Sequence, residues 1–281
     1  MDVILAKHAG YCYGVERALK IAKEAIANCP KPIVTLGPII HNPQVVNWLE
    51  ELGIHAVDEI SEKQKGTVII RSHGIDPEIV KKFVSQGLEV IDATCPFVKK
   101  AQSRAQQLTK EGYSVVIIGE RNHPEVIGIL AYAQHKAQVI EKVEDIEKLS
   151  EKLTKRLGVV VQTTQSKENL GKIVGELSTK AIELKVFNTI CNATQKSQAD
   201  AKDIARKTDV VLVVGGKNSA NTSRLAKICK QINSKTYHIE TVKEIKKNML
   251  NGVKRVGITA GASTADWILK DILTYVEDLE I

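Results

Sequence analysis

The chain has 281 residues, 43% of them hydrophobic and 26% charged, which is typical of a globular protein with a sizeable core. Its apolar runs are strand-sized and no apolar leader follows the N-terminus, so we expect neither a membrane span nor a secretory signal. Lys and Arg outnumber Asp and Glu by 40 to 33, which favours an anionic partner or substrate. A cytoplasmic protein is expected, and length alone predicts about two domains.

Short β-branched runs alternate with amphipathic stretches along the chain. In chain order, the predicted strands are Val3–Ala6, Ile33–Leu36, Ile54–Val57, Val68–Arg71, Glu89–Ile91, Val115–Ile118, Gln138–Ile140, Val159–Gln162, Lys185–Phe187, Val210–Val214, Thr236–Ile239 and Val256–Thr259. Predicted helices between them include Val15–Ala27, Pro77–Gln86, Phe97–Glu111, Ser223–Asn233 and Asp266–Leu279. This alternation indicates an α/β fold with mainly parallel sheets built from right-handed βαβ units.

The spacing of the strands predicts an internal repeat. They fall into three sets of four with a similar rhythm, provided that the N-terminal strand completes the last set. We therefore expect three small α/β modules related by a pseudo-threefold axis, a trefoil. Their predicted bounds are residues 13–95, residues 96–187, and residues 188–281 completed by residues 1–12.

Polar residues recur with the same rhythm. The loops after the first strand of each set contain His41-Asn42-Pro43, Asn122-His123-Pro124-Glu125 and Lys217-Asn218-Ser219-Ala220-Asn221. The loops after the third strand contain Ser72-His73-Gly74, Thr163-Thr164-Gln165-Ser166 and Gly261-Ala262-Ser263-Thr264. A cysteine follows each fourth strand, namely Cys95, Cys191 and Cys12. Because parallel sheets bind ligands at the carboxyl ends of their strands, these groups are expected to meet in one central cavity.

Cysteine chemistry gives the first functional hypothesis. Five cysteines in a chain without a secretory signal are better explained as thiols, metal ligands or nucleophiles than as disulfides. Cys12, Cys95 and Cys191 each precede a predicted helix, whose N-terminus stabilises a thiolate. Three thiolates suit either a 4Fe-4S cluster with one open iron or a zinc site with an open position, and spacing does not separate these two. Cys29 and Cys229 are expected to be buried packing residues.

The repeated loops also offer donors for an anion. His41, His73 and His123 can hold an oxyanion, and the neutral donors Thr164, Ser219, Asn221 and Ser263 have the same use. Singly, such residues are more often helix caps or turn formers, but their repetition favours a diphosphate ligand. Glu125 is the carboxylate best placed to transfer a proton, although a solvated glutamate at a helix start would look the same.

Three classes of function follow from these residues: an iron–sulfur reductase, a zinc-dependent hydrolase acting on a phosphorylated substrate, and a basic nucleic-acid-binding protein. The last is disfavoured because only 4% of the residues are aromatic and the cations are interspersed with acids. Neither an ATP loop nor a dinucleotide fingerprint follows a strand.

Taken together in chain order, the motifs of these loops are specific for one family. The chain resembles the LytB/IspH family of isoprenoid biosynthesis, the 4-hydroxy-3-methylbut-2-enyl diphosphate reductases. The motifs that carry the resemblance are Ala9-Gly-Tyr-Cys12-Tyr-Gly-Val15, Ile40-His41-Asn42, Arg71-Ser-His73-Gly74, Asp92-Ala-Thr-Cys95-Pro96, Asn122-His123-Pro-Glu125, Gln162-Thr163-Thr164, Cys191-Asn-Ala-Thr194-Gln195, Asn218-Ser-Ala-Asn-Thr222 and Ala260-Gly-Ala-Ser263-Thr264.

The resemblance implies a 4Fe-4S cluster held by Cys12, Cys95 and Cys191, and a reductive dehydroxylation that yields isopentenyl and dimethylallyl diphosphate. Glu125 would supply protons with help from Thr163, and His123 would relay them. The residues that would hold the diphosphate are His41, His73, His123, Thr164, Ser219, Asn221 and Ser263. Reduced ferredoxin or flavodoxin would donate electrons, and no dimer is required, so a monomer or weak dimer is expected. Ala220 departs from members that carry a second serine there, which predicts one lost or replaced hydrogen bond.

Overall fold

A computed structural model describes residues 1–149 and 155–279 of the chain. All twelve predicted strands are present, with ends that differ by a few residues, and they form three four-stranded sheets. Every strand pair in these sheets is parallel. Within the described ranges, no helix is both long enough and apolar enough to cross a bilayer.

The elements alternate along the chain as the α/β pattern predicts. The strands are β1 Asp2–Leu5, β2 Ile33–Leu36, β3 Ile54–Val57, β4 Thr67–Ile70, β5 Glu89–Asp92, β6 Ser114–Ile118, β7 Gln138–Ile140, β8 Arg156–Val161, β9 Glu183–Val186, β10 Val210–Val214, β11 Thr236–Ile239 and β12 Arg255–Ala260. The helices are α1 Tyr13–Asn28, α2 Pro43–Glu51, α3 Pro77–Ser85, α4 Pro96–Lys110, α5 Pro124–Tyr132, α6 Lys167–Lys180, α7 Asn192–Lys207, α8 Ala220–Ile232, α9 Lys247–Leu250 and α10 Asp266–Asp278. Short 3-10 helices occupy Val143–Lys148 and Val242–Glu244.

The three sheets share one topology. Their strand orders are β3-β2-β4-β5, β7-β6-β8-β9 and β11-β10-β12-β1, so each places its own second, first, third and fourth strand side by side. The N-terminal strand β1 pairs with β12, with Val3 opposite Val256. The predicted fold class, three α/β modules with parallel sheets, is confirmed. The bounds 13–95, 96–187 and 188–281 with 1–12 stay a prediction, and residues 150–154 and 280–281 lie outside the described chain.

The described chain divides into two compact units, each with its own sheets. The first unit comprises Met1–Glu16, Ile40–Trp48 and the chain from Asn192 onward, and it contains β1, β10, β11 and β12. The second comprises Arg17–Ile39 and Leu49–Cys191, and it contains the other two sheets. The expectation of two domains from length and the expectation of three modules from rhythm therefore describe different levels of the same structure.

Both faces of the sheet β7-β6-β8-β9 are covered, as parallel sheets require. Alternate residues of β6 face opposite ways: Val116 and Ile118 pack in a cluster with α6, while Val115 and Ile117 pack in another with α4 and α5. These four side chains have at most 6% of their surface exposed. The short β-branched strands therefore exist because burial on both faces stabilises them, and they hold the loops at their carboxyl ends in place.

Two glycines let helices approach these sheets closely. A Cβ on Gly158 of β8 would lie 2.7 Å from Leu108 Cδ2 on α4. The third residue of β12, Gly257, holds the same position, and a Cβ there would lie 2.3 Å from Ile204 Cγ2 on α7. The close helix–sheet contact thus recurs in both units and depends on the missing side chain.

We predict that Gly158→Ala lowers the free energy of unfolding by about 1–3 kcal/mol, because the added methyl group overpacks the contact with Leu108. Gly175→Ala is the matched control, since Gly175 lies inside α6 and a Cβ there would meet nothing within 4 Å. This control should raise stability by about 0.5–1 kcal/mol. Urea unfolding followed by circular dichroism measures both variants, and a stable Gly158→Ala protein would contradict the packing account.

Candidate functional site

Three cysteines occupy equivalent positions in the three sheets. Cys12, Cys95 and Cys191 each come after the fourth strand of a sheet and directly before a helix, namely α1, α4 and α7. The backbone amide of each cysteine donates to a carbonyl in the turn after the third strand of the same sheet. The acceptors are Ala262 O, 3.2 Å from Cys12 N, Ser72 O, 2.9 Å from Cys95 N, and Thr163 O, 3.0 Å from Cys191 N. One repeated backbone hydrogen bond therefore places a half-buried thiol at the carboxyl end of every sheet.

The other two cysteines have different surroundings. Cys229 on α8 is fully buried, its Sγ lies 3.6 Å from Ala201 O, and burial raises its pKa to about 12. The prediction of a packing residue is confirmed for Cys229. Cys29 is only half-buried, so the prediction that it is a buried packing residue is wrong. It lies just beyond the end of α1, where partial burial and the Glu89 carboxylate raise its pKa.

A buried carboxylate lies in the second unit, on the first turn of α5. Glu125 is 1% exposed, and Thr163 binds it twice. The Thr163 amide donates to Glu125 Oε1 at 2.6 Å, and the Thr163 hydroxyl donates to Oε2 at 2.8 Å. Because the Thr163 carbonyl also accepts from the Cys191 amide, one residue fixes both the carboxylate and the cysteine. The structure excludes the solvated helix-start glutamate that the sequence left open.

Two histidines belong to the same unit as Glu125. His123 caps α5, and its Nδ1 accepts a hydrogen bond of 3.1 Å from the Glu125 amide. The neutral ring therefore carries its proton on Nε2, which can donate to an anion. The ring of His73, from the turn after β4, meets the His123 ring edge-on with 5.4 Å between centroids. These contacts link His73, His123, Glu125 and Thr163 within the second unit.

Gln162 is a site residue to which the sequence assigned no role. It directly follows β8, is fully buried, and its Oε1 accepts from the Glu120 amide at 2.9 Å. Its Nε2 donates to Thr164 Oγ1 at 3.1 Å, so the Thr164 oxygen is an acceptor and its own proton is directed elsewhere. The signal that could have identified Gln162 is a polar residue placed directly after five buried strand residues.

The first unit holds a second group of predicted site residues, namely His41, Ser219, Asn221 and Ser263. The Ser219 hydroxyl oxygen caps α8 by accepting from the Thr222 amide at 3.3 Å. The Ser263 hydroxyl donates to His41 O at 3.1 Å. Asn221 is 7% exposed, and its buried Nδ2 has no hydrogen-bond partner in residues 1–149 and 155–279. A buried amide donor without an acceptor is costly and indicates a ligand.

The first-strand loops are also equivalent in the three sheets. Each ends in a residue whose side chain accepts from amides of the following helix, and these residues are Asn42, His123 and Ser219. The second residue of each helix is Gln44, Glu125 and Asn221, respectively. The same scaffold position therefore carries an amide, a carboxylate and an amide, and only α5 offers an acid there.

Comparisons with known proteins identify the family of the chain. The sequence model of a family described as LytB protein matches residues 3–277. The chain is 49% identical to the 4-hydroxy-3-methylbut-2-enyl diphosphate reductase of Aquifex aeolicus (strain VF5), covering 99% of this chain and 97% of that relative. It is 46% identical to the protein of that name from Geobacter sulfurreducens (strain ATCC 51573 / DSM 12127 / PCA), covering 100% and 98%.

Two solved structures are similar over nearly the whole chain. One is described as (E)-4-hydroxy-3-methyl-but-2-enyl diphosphate reductase, the terminal enzyme of the non-mevalonate pathway. It is 48% identical, with a TM-score of 0.73 and coverage of 99% of this chain and 100% of that one. The other is the E-1-hydroxy-2-methyl-but-2-enyl-4-diphosphate reductase from Plasmodium falciparum. It is 30% identical, with a TM-score of 0.94 and coverage of 99% and 89%.

Proposed function

The chain belongs to the LytB family, and on that premise we propose how its residues carry out the family's reaction. The protein is an oxidoreductase that reduces 4-hydroxy-3-methylbut-2-enyl diphosphate, the terminal reaction of the non-mevalonate pathway of isoprenoid biosynthesis. In the proposed reaction the substrate takes up two electrons and two protons and loses its hydroxyl group as water. The products are isopentenyl diphosphate and dimethylallyl diphosphate.

Family membership implies an iron–sulfur enzyme, and the donor set fits such a group. Cys12, Cys95 and Cys191 are half-buried thiols before helix N-termini, and the same backbone hydrogen bond holds each of them. Helix N-termini favour the thiolate form that binds iron. We assign these three cysteines as the ligands of a 4Fe-4S cluster with one open iron. When bound, this cluster would supply electrons and a Lewis-acidic iron for the substrate.

Glu125 is the proposed proton donor. The observation that carries this assignment is the position of Thr163, which binds both carboxylate oxygens and also accepts from the Cys191 amide. A protonated Glu125 can deliver its proton to the departing hydroxyl oxygen, and the Thr163 bonds hold the carboxyl group in one orientation. His123 lies directly before α5 and is joined to the Glu125 amide, which suits a relay that restores the proton.

The diphosphate is held by neutral donors in this proposal. Nε2 of His123 and the Thr164 hydroxyl can donate from the second unit, together with His73. In the first unit, Asn221 has a buried amide donor that lacks an acceptor in the described chain, and Ser219 can still donate its proton because its oxygen accepts. His41 and Ser263 complete the proposed set. Ala220 has no hydroxyl group, so the neighbouring residues supply the hydrogen-bond donors at this position.

The electron donor is proposed to be a reduced ferredoxin or flavodoxin in the cytoplasm. The chain carries a formal net charge of +7, which favours encounter with an acidic donor protein. A monomer or weak dimer is proposed, because each sheet finds its neighbouring strands within the chain.

Anaerobic purification tests the ligand assignment. We expect a brown protein with about four irons and four sulfides per chain. Cys12→Ala, Cys95→Ala and Cys191→Ala should each lose most of the iron and the colour. Cys229→Ala is the control, because this buried thiol serves packing, and it should keep the full cluster. A colourless wild-type protein loaded with zinc would support the hydrolase hypothesis instead.

Glu125→Gln tests the proton donor. This variant should retain the cluster and bind substrate, while kcat falls by about 10²- to 10⁴-fold because the amide cannot donate an acidic proton. Steady-state kinetics with a chemical reductant and the visible spectrum measure the two properties. Glu176→Gln, the same change at an exposed position of α6, should behave as the wild type. Wild-type turnover by Glu125→Gln would show that another group supplies the proton.

A further inference from the structure

Arg71 follows β4 directly and begins the turn that contains His73, with the Gly74 amide donating to Arg71 O at 2.9 Å. The residue is half-buried, and partial burial of its side chain lowers its pKa. The Nε atom is fully buried and has no hydrogen-bond partner in residues 1–149 and 155–279. Across the same residues, no carboxylate lies within 4.0 Å of the guanidinium. Arg71 is therefore a half-buried cation with a buried, unpartnered Nε and no counter-charge in the described residues.

The guanidinium lies against the end of the neighbouring strand. Gly37 comes directly after β2, and a Cβ there would lie 2.6 Å from Arg71 Nη1. Its φ of +69° is a second reason for glycine at this position. Strands β2 and β4 are the two central strands of their sheet. The charge is thus held at the carboxyl ends of central parallel strands, where such sheets bind their ligands.

A partly desolvated charge with a buried donor that lacks an acceptor destabilises a fold, so Arg71 calls for an anionic partner that arrives with a ligand. The proposed diphosphate-binding residues are histidines, hydroxyls and an amide, and none is a lysine or an arginine. A diphosphate ester carries several negative charges, which neutral donors alone compensate poorly. Arginine supplies a permanent charge and a planar set of donors that match phosphate oxygens.

We propose that Arg71 is a further diphosphate-binding residue, which binds the diphosphate beside His73 and supplies the fixed positive charge that the neutral donors lack. This inference rests on the proposed function, since it names an additional residue for the same substrate. The proposed role also explains why Arg71 has no counter-ion in the described chain, because its counter-ion is the diphosphate of the substrate.

Isothermal titration of the oxidised holoenzyme, without reductant so that no turnover occurs, tests the proposal. The ligands are 4-hydroxy-3-methylbut-2-enyl diphosphate and inorganic diphosphate. Arg71→Gln should weaken the binding of both by about 10- to 100-fold. Arg71→Lys should recover part of this loss because it keeps the charge. The control, Arg206→Gln, removes an exposed arginine at the end of α7 and should bind both ligands as the wild type does.

Thermal unfolding without ligand separates a binding role from a structural one. Since Arg71 is an uncompensated charge, Arg71→Gln should melt at the wild-type temperature or above it. A lower melting temperature, or wild-type affinity for both ligands, would overturn the inference. If the wild-type holoenzyme itself neither binds nor reduces the substrate, the proposed function fails, and that result is distinct from a failure confined to Arg71.

Discussion

The three hydrogen bonds of Thr163 join the parts of the site in the second unit. Its amide and hydroxyl bind the two oxygens of Glu125, and its carbonyl accepts from the amide of Cys191. Any movement of this turn would therefore displace the carboxylate and the cysteine together. The equivalent residues elsewhere keep only the bond to the cysteine: the Ser72 hydroxyl donates to Ile39 O at 3.0 Å, and Ala262 has no hydroxyl. The same turn occurs in all three sheets, and in one of them it also binds a buried carboxylate.

The equivalent helix starts also carry side chains with different contacts. Gln44, Glu125 and Asn221 hold the second position of α2, α5 and α8. The Gln44 side chain donates to Glu240 O at 2.7 Å and so stabilises its own unit. The buried Asn221 amide lacks an acceptor in the described chain, which suits ligand binding, and Glu125 offers the acid. The repeated scaffold thus places an equivalent thiol after the fourth strand of each sheet, whereas the polar residues at its helix starts differ in chemistry.

Much of the fold and of the candidate site could be predicted because the relevant sequence signals are local. Runs such as Val210–Val214 are short, β-branched and bounded by turns, so every strand was found, and their spacing indicated the shared topology. The loop residues proposed for the site are predictable because they recur with that spacing. The lack of a counter-ion for Arg71, the bond from the Glu120 amide to Gln162 and the half-exposure of Cys29 depend on contacts between distant segments, for which the sequence carries no periodic signal. The grouping of two sheets into one unit has the same origin.

Thr163→Val tests most directly whether Thr163 orients Glu125 for the proposed proton transfer. This nearly isosteric change removes only the hydroxyl bond and leaves both backbone bonds. Thr259→Val is the matched control, because Thr259 is also buried, here on β12, and its hydroxyl has no partner in the described residues. With the cluster intact by iron content and colour, Thr163→Val should lower kcat by about 10- to 100-fold while KM changes little. Thr259→Val should turn over as the wild type does. Equal kcat values for both variants would contradict the account.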